Sequence, residues 1–236
     1  RFSAGLGFRI EEESFAAAVE HRGLIARLSG ERVREETGKL ICGEYAGEAM
    51  DGGREIILCA LEPLRDVPAG LFKAAGPYRL PKDPAARWAA LLAGCDEYEK
   101  VLRRLRFSNR EAGRISALIE GARRGAPRGS REVKRLLARL GQRDFFILLD
   151  LLGVRDGEGT VIEQARQAAK DALARGDCLC LKELKVNGSD LIAAGRPGGP
   201  GIGRELGELL ELVLAGRVES HREALLAWIQ KRGKNM

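Results

Sequence analysis

The sequence predicts an all-α protein: an extended array of short helices in consecutive helical domains, with a helix-hairpin-helix-like turn in the tail. Three observations carry this. Apolar residues recur at i, i+3 and i+4 through nearly every periodic segment. Strand alternation is missing, and aromatic residues make up only 5% of the chain, so the side chains that favour strands are sparse. Cap residues, prolines and glycines bracket the periodic segments at short intervals, as they do in helices joined by brief turns.

Taken in order, a helix is expected over about Glu12 to His21. A second opens in "LSGERVREETGKLICG", where Ser29 suits an N-cap and Glu31, Glu35 and Glu36 load the first turns with charge that the helix dipole favours. A third covers Gly53 to Leu61. Prolines at 63, 68, 77, 81 and 84 then make a loop-rich connection. Helices resume at "DPAARWAALLAG" with Asp83 as cap and Pro84 in the first turn. "EYEKVLRRLRF" follows, then "SNREAGRISALIEGARRG" capped by Ser108 or Asn109. "GSREVKRLLARLG" starts at Ser130 and stops at Gly141, "RDFFILLDLLG" continues, and "EGTVIEQARQAAKDALARG" leads into the tail.

The 236 residues, 44% of them hydrophobic, suffice to bury a core, so disorder is not expected. Apolar runs such as "FFILLDLLGV" are broken by charge well short of the roughly 18 residues that span a membrane. No charged-then-apolar leader opens the chain, which gives no secretory signal. It starts on Arg1 rather than Met, as a processed product or a piece of a longer chain would. Cys42, Cys59, Cys95, Cys178 and Cys180 are odd in number and lack framework spacing, so reduced thiols in a cytoplasmic protein are expected. Only His21 and His221 exist, and "CLC" at Cys178 to Cys180 has no second Cys or His pair nearby, which disfavours a metal site.

A net charge of +6 hides a strong asymmetry. Residues 1–99 carry 13 basic and 17 acidic side chains, a net of −4, and residues 144–236 carry 13 and 14, a net of −1. Residues 100–143 carry 14 basic and 3 acidic side chains, a net of +11. Arginine outnumbers lysine there twelve to two, and its planar fork suits phosphate oxygens. Solvated helix faces, with long side chains lying over apolar surface, are the plainer reading. Such faces interleave acids, however, and only Glu111, Glu120 and Glu132 do so here. A polyanion is the indicated partner. The candidates are Arg103, Arg104, Arg106, Arg110, Arg114, Arg123, Arg124, Arg128 and Lys134. Phe107 is the one aromatic of the segment, so recognition by charge and shape is expected rather than stacking on unpaired bases.

Five glycines and two prolines stand between Gly195 and Gly203. "GSDLIAAG", capped by Ser189, and "GIGRELGELLELVLAG" read as helices on either side. A short helix, a Gly-apolar-Gly turn and a second helix have the form of a helix-hairpin-helix. Gly201 and Gly203 let a backbone approach a phosphate closely, the second helix offers amide donors, and Lys185, Arg196 and Arg204 add charge. No strand precedes the glycines and no Gly-Lys-Ser/Thr closes them, which excludes a dinucleotide fingerprint and a P-loop. A purely structural turn remains the alternative. No Ser/His/Asp grouping, His-Asp pair or metal-binding Asp-x-Asp is found, so this stretch of chain binds rather than catalyses.

"RFSAGLGFRIEEESFAAAVEHRGLIARLSGERVREETGKLI" resembles the neck of class II tRNA nucleotidyltransferases, the CCA-adding enzymes and their poly(A) polymerase relatives. The resemblance lies in Arg1 and Phe2, in Leu6, Phe8 and Ile10, and in Ser29, Glu31, Arg32 and Val33. Arg32 and Glu36 match the family's last motif, which supports the neck and nucleotide pocket. "RWAALLAG" and "LRRLRFSNREAGRI" are similar to the body, and the stretch from "ELKVNGSDLIAAG" to "REALLAWI" to the tail. The segments implied are a neck at 1–62, a basic body at 63–156 and a tail at 157–236. The family's catalytic head, with its metal-binding Asp pair and base-reading motif, is not among these residues, and no metal-binding His follows "AALL".

The resemblance implies the tRNA-binding C-terminal portion of an enzyme that adds CCA, or part of it, to tRNA 3′ ends. Body and tail would hold the acceptor stem and elbow. Mg and CTP/ATP would belong to the intact enzyme, and the missing head would be the second partner. A poly(A) polymerase C-terminal fragment and a non-enzymatic helical nucleic-acid-binding module are the alternatives.

Overall fold

A computed structural model describes residues 1–61, 80–157 and 159–233. All regular structure among them is helical. The greater part of the proline-rich connection, residues 62–79, lies outside the described residues.

The helices are α1 Phe2–Leu6, α2 Glu12–Glu20, α3 Gly30–Ile41, α4 Ala46–Gly52, α5 Arg54–Ala60, α6 Pro84–Leu92, α7 Tyr98–Arg104, α8 Asn109–Arg124, α9 Gly129–Asp156, α10 Thr160–Ala174, α11 Gly188–Ala193, α12 Pro200–Leu214 and α13 Arg222–Gly233. A 3₁₀ helix of six residues occupies Arg22–Arg27, and a single 3₁₀ turn occupies Leu181–Glu183.

Several starts follow from the caps read in the sequence. The Ser29 hydroxyl accepts from the Arg32 amide, and the Asp83 carboxylate from the Ala86 amide at 3.0 Å. Ser108 forms a reciprocal box with Glu111 at the head of α8, satisfying two amides that the helix leaves unpaired. Gly141, at φ 76, breaks the helical backbone of α9 where a stop is expected. The cap of α11 differs from expectation. Asn187, not Ser189, accepts from the Ser189 and Asp190 amides, and Asp190 returns a bond to the Asn187 amide. Two cap-type residues lie two apart there, and the acid three positions on selects the first.

The chain forms two compact units. The first holds residues 1–125 and 146–159, and the second holds 126–145 and 160–236. In the first, α6 packs on α8 around Trp88, Leu92, Ile115, Leu118 and Ile119, all at most 2% exposed. The part of α9 from residue 146 onward joins this core because Gly121 lets it approach; a Cβ there would meet Leu148 at 2.8 Å. Arg87 is buried in the same core and donates to the carbonyls of Ile41 (3.0 Å), Leu80 (2.7 Å) and Pro81 (3.0 Å).

In the second unit Cys178, Leu184, Val186, Leu191, Leu209, Leu225 and Ile229 form a buried cluster, with Ile202, Leu206 and Trp228 against it. Each fully buried leucine contributes about 1.5–3 kcal/mol. That is enough to hold the six-residue helix α11, which is far too short to persist alone.

Candidate nucleic-acid interface

The arginines of the central segment fall into two groups. The first is committed to the protein's own packing. Arg114 Nη2 lies 2.9 Å from Asp83 Oδ2, a carboxylate almost fully buried. Arg123 donates to the Cys95 carbonyl at 2.7 Å, approaches Asp96 at 3.5 Å and lies over the Tyr98 ring. In the second unit, Lys134 bridges to Asp177 at 2.7 Å. Burial alone would raise the Asp177 carboxyl, but hydrogen bonds from Arg175 and Lys134 outweigh it and hold that group below the usual range.

The other group faces solvent. Arg103, Arg104, Arg106, Arg110, Arg124 and Arg128 are exposed. Arg106 has Glu31 at 3.3 Å and Arg124 has Glu120 at 3.9 Å, both exposed pairs that contribute little and exchange readily for a phosphate. The side chains of Arg103, Arg110 and Arg128 have no partner among the described residues, which leaves their full donor sets available.

In the tail, α11 and α12 pack against one another across the glycine-rich turn. The backbone conformations that demand glycine are at Gly195, φ 87, and Gly199, φ 124. Gly201 and Gly203 lie inside the first turns of α12, exposed, with nothing within 4 Å of a Cβ added to either. No contact among the described residues therefore calls for glycine at those two positions. Arg204, next to Gly203, and Lys185, before α11, are exposed, whereas Arg196 is held inside the unit by Glu205 at 2.9 Å and the Ile229 carbonyl at 3.1 Å. A shallow cleft of about 420 Å³ lies between Gly195, Arg196, Pro197 and the Gly201, Arg204, Glu205 face of α12.

Glu36 lies against Arg1 at 3.4 Å and Lys39 at 3.5 Å, not against Arg32. Arg32 is exposed. The sequence gives no sign of the roles of Arg34 and Arg87. Arg34 turns inward from α3 to the carbonyl of Arg106, and Arg87 sits inside an apolar run where a charge reads as an interruption.

Among the described residues no group of three or more His, Cys, Asp or Glu is placed to hold a metal. The donor set present does not fit the Mg of a nucleotidyl-transfer site, so no chemical step is assigned to it. Burial raises the thiols of Cys42, Cys95 and Cys178, which keeps them protonated and poor as nucleophiles or ligands. No described helix is long and apolar enough to cross a membrane.

The described residues thus form an all-helical scaffold with several exposed arginines, and comparison with known proteins places it in a family. A family model described as tRNA nucleotidyltransferase domain 2 (putative) matches residues 81–229, and one described as the probable RNA and SrmB-binding site of polymerase A matches residues 7–52. The chain belongs to the tRNA nucleotidyltransferase domain 2 family.

The CCA-adding enzyme of Geobacillus kaustophilus is 28% identical over 99% of this chain and 58% of the relative. That of Limosilactobacillus fermentum is 29% identical over 96% of this chain and 56% of the relative. The crystal structure of Bacillus stearothermophilus CCA-adding enzyme in complex with CTP superposes with a TM-score of 0.77 at 24% identity. It covers 99% of this chain and 60% of that one, and establishes likeness of fold. The chain thus spans about 58% of the length of the curated relatives it matches.

Proposed function

We propose that this chain is the tRNA-holding C-terminal portion of a nucleotidyltransferase that adds CCA, or part of it, to tRNA 3′ ends. Residues 1–62 act as the neck, 63–156 as the basic body and 157–236 as the tail at the tRNA elbow. The observation that carries the reading is the set of exposed arginines without a side-chain partner among the described residues, Arg103, Arg110 and Arg128, together with Arg204 and the open glycines at the start of α12. An A-form helix hides its base edges in a deep groove, so a protein that accepts every tRNA reads phosphate, ribose and shape. Arginine forks on rigid helices meet that need.

The transfer from CTP or ATP, with Mg, belongs to a catalytic head. Phe2, Leu6, Phe8 and Ile10 are 62%, 59%, 59% and 56% exposed, an apolar seat suited to such a partner. Arg32 and Glu36 support the nucleotide pocket from the neck side, and the cytoplasm is the compartment that matches free thiols. The poly(A) polymerase reading is favoured by one observation, the match of residues 7–52 to the polymerase A family model.

Binding of a tRNA lacking CCA, compared with a single-stranded RNA of equal length, separates the two readings. Preference for tRNA supports the first and preference for the single strand the second. Reversal of Arg103, Arg104 and Arg106 to Glu should weaken binding of either RNA; unchanged affinity would remove the central segment from the interface. Extension of tRNA by this chain alone would contradict the assignment of catalysis to a separate head.

A further inference from the structure

Helix α3 and the turn between α7 and α8 meet in one tight joint inside the first unit. A Cβ on Gly30 would lie 2.0 Å from the Arg104 carbonyl oxygen, so the first turn of α3 rests on the turn's backbone and only glycine fits. One helical turn on, Arg34 donates from Nη1 to the Arg106 carbonyl. Its guanidinium carbon lies 5.4 Å from the Phe107 ring centroid, and Nη1 lies 3.9 Å from Glu111 Oε2. Phe107 in turn packs edge-on against buried Trp88, with centroids 5.3 Å apart.

Arg106 is the one described non-glycine residue with positive φ, at 52°, a conformation unfavourable for any residue bearing a Cβ. Its carbonyl meets Arg34 while its guanidinium reaches back to Glu31 on α3 at 3.3 Å. The Arg34 contacts and the close fit at Gly30 hold the joint, and the exposed Arg106–Glu31 pair adds little to it. Exposed arginines stand on each side of it: Arg32 on α3, and Arg103, Arg106 and Arg110 on α7, the turn and α8.

We propose that Arg34 is a positioning residue that clamps α3 to the α7–α8 turn, so that these exposed arginines act together as one rigid phosphate-reading surface. The proposal rests on the reading of the chain as an RNA-holding protein. Several arginines bind a stiff helix together only when their spacing is fixed beforehand, because ordering them on binding offsets the gain. A loosened joint leaves every exposed arginine in place but reduces how many reach phosphates at once, and the salt dependence of binding counts that number. A residue that served stability alone would leave the salt slope of the folded variant unchanged.

The test is fluorescence anisotropy of tRNA binding across a salt series, at a temperature where circular dichroism shows every variant folded. Arg34→Ala and Gly30→Ala should each weaken binding about tenfold or more and lower the slope by more than the roughly one unit of a single lost phosphate contact. Gly30→Ala is the sharper variant, since it removes no charge. Arg34→Lys should recover only part of the affinity, because an ammonium lacks the planar fork that serves carbonyl, ring and carboxylate together. Should Gly30→Ala fail to fold, Arg34→Lys and Phe107→Leu carry the same comparison.

Wild-type affinity and slope in folded Gly30→Ala, with binding still weakened by Arg103→Ala or Arg110→Ala, would overturn the clamp and leave the RNA reading standing. A loss of one slope unit confined to Arg34→Ala would make Arg34 a direct contact and also overturn it. If none of the arginine variants weakens binding, the clamp and the RNA reading fall together.

Discussion

Arg114 Nη2 lies 2.9 Å from Oδ2 of Asp83, whose carboxylate also caps α6 through the Ala86 amide. Asp83 is only 3% exposed, so its charge depends on these partners. One arginine of the basic segment thus matches a charge inside the protein, while Arg103 and Arg110, on either side of the α7–α8 turn, match none among the described residues. The segment's excess of positive charge divides between scaffold and surface.

That division predicts opposite phenotypes. Arg114→Ala should cost about 2–3 kcal/mol of stability, the usual consequence of stranding a buried, hydrogen-bonded charge, yet leave the salt slope of RNA binding unchanged in the folded protein. Arg103→Ala should lower the slope by about one unit with its melting temperature unmoved. Urea melts beside salt titrations check both, and a changed slope in Arg114→Ala would place Arg114 in the interface.

Arg87 ties the end of α3 to the segment before α6 through the carbonyls of Ile41, Leu80 and Pro81. Arg87→Met fills similar space but leaves those buried acceptors unsatisfied, so a loss of about 3 kcal/mol or more is expected. A urea midpoint within error of the wild type would show that water or a rearranged chain replaces the guanidinium.

At Gly201 and Gly203 an added Cβ has no neighbour within 4 Å among the described residues, so substitution by Val is not expected to clash there. Helicity and melting temperature should hold or rise slightly, because glycine is among the weakest helix formers. RNA affinity should fall if a phosphate approaches this turn. Undiminished affinity would return the turn to a structural role.

Hydrogen bonds from the Ser108 hydroxyl and amide hold the Glu111 carboxyl below the usual range, with Arg34 adding to the effect. A depressed carboxylate contributes stability that is complete above its unfolded pKa and is lost as pH falls through the folded value. The stability difference between the wild type and Glu111→Gln should therefore shrink as pH is lowered from about 6 to about 3. A difference independent of pH over that range would show that the charge of Glu111 contributes nothing to the cap.

Local signals in the sequence carried far and tertiary ones did not. Ser29, Asp83, Ser108 and the break at Gly141 were legible because caps and helix stops depend on residues within about four positions. The short helices α1 and α4 lack such signals, and Asn187 competes with Ser189 for one cap. The +11 excess is plain in the sequence, but which of its arginines are paired within the protein depends on contacts such as Asp83 to Arg114, 31 residues apart. Glu36 turning to Arg1, 35 positions away, is a case of the same kind. The inward turn of Arg34 needs the left-handed backbone at Arg106, which nothing in "RRLRFSN" announces.

The most direct test of the central claim is a salt titration of binding by fluorescence anisotropy, using tRNA without its CCA end against single-stranded RNA and duplex DNA of matched length. Clear preference for tRNA is expected, with a slope of about −4 to −6, as about five to seven neutralised phosphates require. Equal binding of all three, or a slope near zero, would contradict it.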